Sequence, residues 1–142
     1  MQIKLKKLSP DAVIPTYATT WDAGADLYAL DYSFIRPDQH EIIATGISLE
    51  IPNGFVGLIH PRSGMAAREG ITVLNAPGTI DAGYRGEIQV ILINHSRVYK
   101  TINKGDKIAQ LVIQRVEDVD FIEVDELDSS ERGFGKFGST GV

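Results

Sequence analysis

An all-β sandwich carrying one short helix is the fold class this chain predicts, and three features of the sequence predict it. Its apolar residues come in short runs, many of them alternating with polar ones, rich in Ile and Val. Gly, Pro, Asn and Asp separate those runs at intervals typical of strands in sandwiches and barrels. A single segment has the composition and end signals of a helix. At 142 residues the chain is long enough for one domain that buries roughly two-thirds of its surface on folding, so no staple is required.

Taken in order, residues 2–8 alternate apolar with basic side chains, as a strand with one wetted face does. Residues 40–44, 47–51 and 55–59 are brief apolar or alternating runs and are expected as strands. Residues 63–70 predict a helix of about two turns, opened by Ser63 as N-cap and closed by Gly70. Strands are expected again at 71–74 and at 87–94. The second of these is nearly continuous in apolar residues, so it is expected to be buried on both faces, in a sheet core or at a subunit interface. The last two strands are expected at 107–116 and 119–124, the latter within the acidic stretch 117–128 as a strand with one solvated face. Residues 1–130 form the expected folded domain and 131–142 a flexible, glycine-rich arm.

Composition narrows the chemistry. The net charge of −5 repels polyanions and acidic bilayers, so neither nucleic acid nor membrane is an expected partner. Any anionic ligand must be small and held locally. The cations placed beside glycine or serine are Arg62, Arg85, Arg132 and Lys136; most other basic residues sit in strand-like runs and are expected as solvated faces. The absence of cysteine excludes disulfides and thiol catalysis, and His40, His60 and His95 are too scattered for a histidine zinc site. No signal-peptide pattern and no apolar run of membrane-spanning length occurs, so the expected location is the cytoplasm, or a host's cytoplasm if a virus encodes the chain. Asn94-His95-Ser96 matches a glycosylation sequon that carries little meaning there.

Five polar, glycine-bearing segments interrupt the apolar pattern. Ala23-Gly24-Ala25-Asp26-Leu27 joins small residues, which allow close approach, to one carboxylate. Pro61-Arg62-Ser63-Gly64 sets an arginine and a hydroxyl at a helix start, whose amides favour an anion. Asn75 to Glu87 contains Pro-Gly and Ala-Gly pairs that predict a hairpin, with Asn75, Asp81 and Tyr84 pointing into shared space. Gly105 to Leu111 places the uncharged donor Gln110 in an apolar strand. Arg132 to Val142 combines four glycines with Arg132, Lys136, Phe137, Ser139 and Thr140, a segment costly to order and rich in donors for phosphate.

In this order and spacing the five segments resemble the motifs of the trimeric dUTP diphosphatase family, across residues 23–141. The resemblance implies a distorted β-jelly-roll, a homotrimer with active sites shared between subunits, and hydrolysis of dUTP to dUMP and pyrophosphate, which supplies dUMP for thymidylate synthesis and keeps uracil out of DNA. It implies Asp81 as the base that activates water, and Mg2+ as cofactor, with Asp26 accepting from a metal-bound water. Arg62, Ser63, Gly64 and Gln110 are implied as phosphate ligands. Thr79, Ile80 and Gln89, with Asn75 assisting, would read the uracil edge, while Tyr84 would pack beneath the sugar and exclude a 2′-hydroxyl. From the arm, Phe137 would stack on the base, with Arg132, Gly138, Ser139 and Thr140 closing over the phosphates. The arm is expected to be disordered without ligand and ordered by it. Lys136 departs from the pattern, since many relatives have glycine there.

Two other readings compete. A dCTP deaminase of the same superfamily needs a glutamate where this chain has Ile91, and Ile91 cannot shuttle protons. A non-catalytic β-sandwich that binds nucleotides would account for the fold but leaves Asp81 without a task beside the phosphate-binding set.

Overall fold

The computed structural model describes residues 1–136. Eleven strands and one helix follow in chain order: β1 (Lys4–Lys7), β2 (Ala25–Tyr28), β3 (Ser33–Ile35), β4 (His40–Ala44), β5 (Ile47–Glu50), β6 (Phe55–His60), α1 (Ser63–Glu69), β7 (Ile71–Val73), β8 (Gly78–Ile80), β9 (Gln89–Asn94), β10 (Lys100–Ile102) and β11 (Lys107–Arg115). All pairings are antiparallel. A four-stranded sheet runs β2-β11-β6-β8 and a three-stranded sheet β4-β9-β7, with β1-β5 and β10-β3 as two-stranded pairs. The all-β expectation holds.

One apolar core joins these sheets. Leu27, Ile59, Ala109 and Leu111 from the four-stranded sheet share it with Ile43, Val73, Val90 and Leu92 from the three-stranded sheet. The period-2 alternation of strands explains the assignment: in β9, Val90, Leu92 and Asn94 are buried, whereas Ile91 and Ile93 on the other face are half-buried. Among the described residues of one chain the second face is thus only half-buried, which corrects the sheet-core form of the expectation for residues 87–94; its subunit-interface form concerns contacts outside a single chain.

Asn94 is fully buried and fully employed. Its Nδ2 donates to the carbonyls of Ile35 (3.0 Å) and Val98 (2.8 Å), and its Oδ1 accepts from the amide of Ser96 (2.9 Å). The sequon match at this residue is thus a structural hub tying β9 to β3, with no amide hydrogen facing solvent.

Helix α1 forms where predicted, with one correction. Arg62, in extended conformation (φ −86°, ψ 122°), is the N-cap and offers no side-chain cap, so Ser63 is the first helical residue. Gly70 closes the helix in the left-handed region (φ 67°, ψ 23°), which a Cβ would strain, and its N–H reaches the carbonyls of Met65 and Ala66.

Two further departures have physical reasons. The expected strand at 119–124 is not formed: Phe121 and Ile122 are 97% and 81% exposed, and no strand edge within the described residues pairs with them. A strand needs a partner for its backbone groups. Conversely β2, β3, β8 and β10 are strands of three or four residues that the composition of their segments hid behind turn formers.

Candidate active site

Register brings the first polar segments together. In the four-stranded sheet Gln110 of β11 lies opposite Asp26 of β2 on one side and His60, the last residue of β6, on the other. From His60 the chain passes through Pro61 and Arg62 into α1. Arg62, Ser63, Gly64, Arg68 and Gln110 then line a cavity of about 100 Å3. Two guanidinium groups, a hydroxyl and an amide face it without a carboxylate, a donor set suited to an oxyanion. The small residues around Asp26 permit the close approach expected of them: a Cβ on Gly24 would stand 2.9 Å from the Cβ of Gln110.

Asp26 is only 3% exposed. Its Oδ2 holds the Nζ of Lys107 at 2.8 Å and its Oδ1 lies 3.3 Å from the Nε of Arg62. The hydrogen bond and the charge of Asp26 raise the Lys107 ammonium above the ordinary lysine range. Oδ1 is buried and makes no hydrogen bond among the described residues. A buried acceptor without a donor is uncommon and marks a place for a further polar partner.

The third segment builds a second cavity, of about 250 Å3, lined by Ile42, Thr79, Ile80, Asp81, Tyr84, Glu87, Gln89 and Ile91. Strand β8 carries Thr79 and Ile80 to it through pairing with β6. The carbonyl of Asp81 accepts the N–H of Tyr84 at 3.0 Å, a turn between two residues that both line the cavity. The Tyr84 hydroxyl donates to the Glu87 carbonyl at 3.0 Å, and its ring packs against Gly86. Glu87 is itself fixed, since its Oε1 accepts the N–H of Gly46 at 2.8 Å. Ile91 contributes an apolar wall, opposite Ile42 in the β4–β9 register.

The expected residues therefore fall into two groups. Arg62, Ser63, Gly64 and Gln110 meet in one cavity; Thr79, Ile80, Asp81, Tyr84 and Gln89 meet in the other; the two have no lining residue in common. Asn75 is exposed and lines neither, with its amide against Gly78 of β8. Arg132 lies in an exposed turn, its carbonyl accepting from Gly135, and also lines neither. Phe137, Gly138, Ser139 and Thr140 lie outside the described residues. Arg85, a candidate cation on sequence, lines neither cavity; its Nη1 donates to the carbonyls of Ala82 (2.6 Å) and Tyr84 (2.9 Å) and braces the turn.

Arg68, Lys107, Ile42 and Glu87 escaped the reading of the sequence. Arg68 had a signal: it follows Gly64 by four residues, one helical turn on the same face. Lys107 had none, because its orientation depends on a strand irregularity between Lys107 and Ala109.

Comparison with known proteins bears on the family and the fold. The profile of the dUTPase family matches residues 11–141. A curated relative from Corynebacterium glutamicum, named deoxyuridine 5′-triphosphate nucleotidohydrolase, is 54% identical over 140 residues, covering 98% of this chain and 94% of its own. The fold is similar to the dUTPase of Staphylococcus bacteriophage 80alpha solved with dUpNHpp, at a TM-score of 0.93 and 30% identity, with 99% of each chain covered. It is also similar to a dUTPase variant from phage phi11 of S. aureus described with a structural Mg(II) ion, at a TM-score of 0.82 and 26% identity, covering 89% of this chain and 98% of that one. On the match across nearly its whole length, the chain belongs to the dUTPase family.

Proposed function

We propose that the chain hydrolyses dUTP to dUMP and pyrophosphate, with Asp81 as the base. The observation that carries this reading is the division of one family's motif set into an all-donor cavity around Arg62 and a nucleoside-sized cavity that holds Asp81 beside Tyr84. In the reaction a water oxygen bonds to the α-phosphorus while the bond from that phosphorus to the bridging oxygen breaks, and pyrophosphate leaves. Asp81 takes the water's proton, a role worth roughly 10²–10⁴-fold in rate. Arg62, Ser63, Gly64 and Gln110 hold phosphate oxygens and stabilise the charge that develops on them.

The uracil edge is read by the β8 backbone near Thr79 and Ile80 and by Gln89, with Tyr84 against the sugar. The arm supplies Phe137 to the base and Arg132, Gly138, Ser139 and Thr140 to the phosphates. Neither cavity alone can hold both ends of a nucleoside triphosphate and all its ligands, which supports a homotrimer whose sites combine segments of different subunits.

Mg2+ is the proposed cofactor. Among the described residues no cluster of three or more His, Asp or Glu could hold it directly, so its ligands would be phosphate oxygens and water. Asp26 Oδ1, which accepts no hydrogen bond among the described residues, fits the acceptor for one such water. When bound, the ion would neutralise charge on the triphosphate. Among the described residues no helix is long and apolar enough to cross a membrane, and the proposed site of action is the cytoplasm.

The test mixes the protein with dUTP and magnesium and follows pyrophosphate. Release of pyrophosphate that is lost in Asp81→Asn, with dUTP binding retained, supports the reading. Ammonia release from dCTP would establish the deaminase instead.

A further inference from the structure

The face of the four-stranded sheet that carries Asp26 contains a geometric irregularity. Along a regular strand, residues three apart point to opposite faces. Lys107 and Gln110 are three apart, yet Lys107 pairs with Tyr28 and Gln110 with Asp26, two β2 residues that share a face. The register shift between Lys107 and Ala109 adds the residue that makes this possible. A bulge thus turns a lysine that would point away onto the side of Asp26.

There its side chain, 39% exposed, meets a carboxylate and a ring. Lys107 Nζ lies 2.8 Å from Asp26 Oδ2 and 6.0 Å from the centroid of the Tyr28 ring, whose hydroxyl is itself held by Thr16 Oγ1 at 2.6 Å. The backbone of the same residue acts on Arg62: the Lys107 carbonyl accepts from Arg62 Nη1 at 3.3 Å, while Asp26 Oδ1 stands 3.3 Å from Arg62 Nε. One hydrogen bond and one ion-pair contact thereby restrain two sides of the guanidinium. Nη2 remains the nitrogen without a protein partner among the described residues, and so the one offered to a ligand.

We propose that Lys107 is a positioning residue for the oxyanion site, fixing the Asp26 carboxylate by its ammonium and the Arg62 guanidinium by its carbonyl, so that Arg62 meets phosphate in one preset orientation. The inference rests on reading the Arg62 cavity as the phosphate site. A guanidinium held before the ligand arrives loses less freedom on binding than one that must be ordered by it. The lysine never touches substrate in this scheme; it acts through Asp26 and Arg62.

The experiment uses the full chain and four variants: Arg62→Ala, Lys107→Met, Lys107→Gln and Lys107→Arg. Calorimetry measures binding of a dUTP analogue with a non-hydrolysable imido bridge and of deoxyuridine, and thermal melting checks the fold. Turnover gives KM and kcat. Arg62→Ala should weaken the analogue and leave deoxyuridine unchanged; if it does not, the phosphate-site reading itself fails. Lys107→Met should weaken the analogue and raise KM by about tenfold, with deoxyuridine unaffected. Lys107→Arg, which can still pair with Asp26, should recover most of that loss. If Lys107→Met does not fold, the same comparison is made on Lys107→Gln. Analogue affinity and KM unchanged in a folded Met or Gln variant, while Arg62→Ala weakens both, would overturn the positioning role, as would equal losses for the analogue and deoxyuridine.

Discussion

Replacing Gly86 by alanine should loosen the choice between deoxyribose and ribose while leaving the protein folded. Gly86 lies outside the left-handed region, so its backbone accepts alanine without strain. The obstacle is Tyr84: the new Cβ would clash with the phenol oxygen and stand 2.6 Å from Cζ and 3.0 Å from Cε2. Ordinary carbon contacts are about 3.5–4.0 Å, so the ring must withdraw by roughly 1 Å. Its 3.0 Å hydrogen bond to the Glu87 carbonyl would then break. Tyr84 is 45% exposed, so it can move outward. The loss of stability should be about 1 kcal/mol, or roughly 2–5 °C in Tm. The loss of selectivity should be larger, because an apolar wall rejects an added hydroxyl by about 10² and a displaced ring no longer forms that wall. Pyrophosphate release with dUTP and with UTP gives the two kcat/KM values, whose ratio should fall by about 10–100-fold. A ratio within about twofold of the parent, in a folded variant whose Tm has fallen as expected for a displaced ring, would refute the sugar-facing role of Tyr84.

Three other outcomes follow from particular contacts. Asn94→Ala removes three hydrogen bonds of a fully buried side chain and should cost about 3 kcal/mol, read as a Tm lowered by roughly 10 °C in a protein with unchanged KM. Arg68→Ala should raise KM for dUTP by about threefold to tenfold with Tm unchanged, since Arg68 is exposed and faces the all-donor cavity. The third concerns acid. Lys104 lowers the pKa of Asp11, Lys4 that of Glu50 and hydrogen bonds from Thr19 that of Asp22, so all three carboxylates stabilise the fold above their unfolded values near pH 4 and lose that contribution as pH falls through the folded ones. Salt at about 0.5 M should weaken the Asp11 and Glu50 parts and spare that of Asp22, so the acid limb of the Tm curve in a Lys4→Met, Lys104→Met protein should respond less to salt than the parent's, with the smaller effects of Lys7 and Arg85 remaining.

The alternation of Val90, Leu92 and Asn94 shows why the long strands could be read from the chain: burial on one face imposes a period of two that composition displays. The short strands β2 and β8 lacked that period. Each is three or four residues long and opens with small and polar residues that also build turns, Ala25-Asp26 and Gly78-Thr79. The site was legible where function confines residue type within a segment, as in Pro-Arg-Ser-Gly and around Asp81. It was not legible where long-range register decides orientation. Arg85 looked like an anion ligand beside glycine, yet the turn uses it for two carbonyls. Lys107 looked like a solvated strand cation, yet a partner strand distant in sequence sets it on a buried carboxylate.

The bulge in β11 has a consequence for how this site can change through descent. Its information is a length, the count of residues between Lys107 and Gln110, and no single substitution can erase a length. Point mutations can test every side chain around Asp26 one at a time while the frame that aims them stays in place. Loss of one residue there is a different event: it reverses the facing of Lys107 relative to Gln110 in one step, with no intermediate state in which half of the arrangement survives. Lineages sharing this site should therefore vary in the residues they present at the bulge far more freely than in the spacing that carries it.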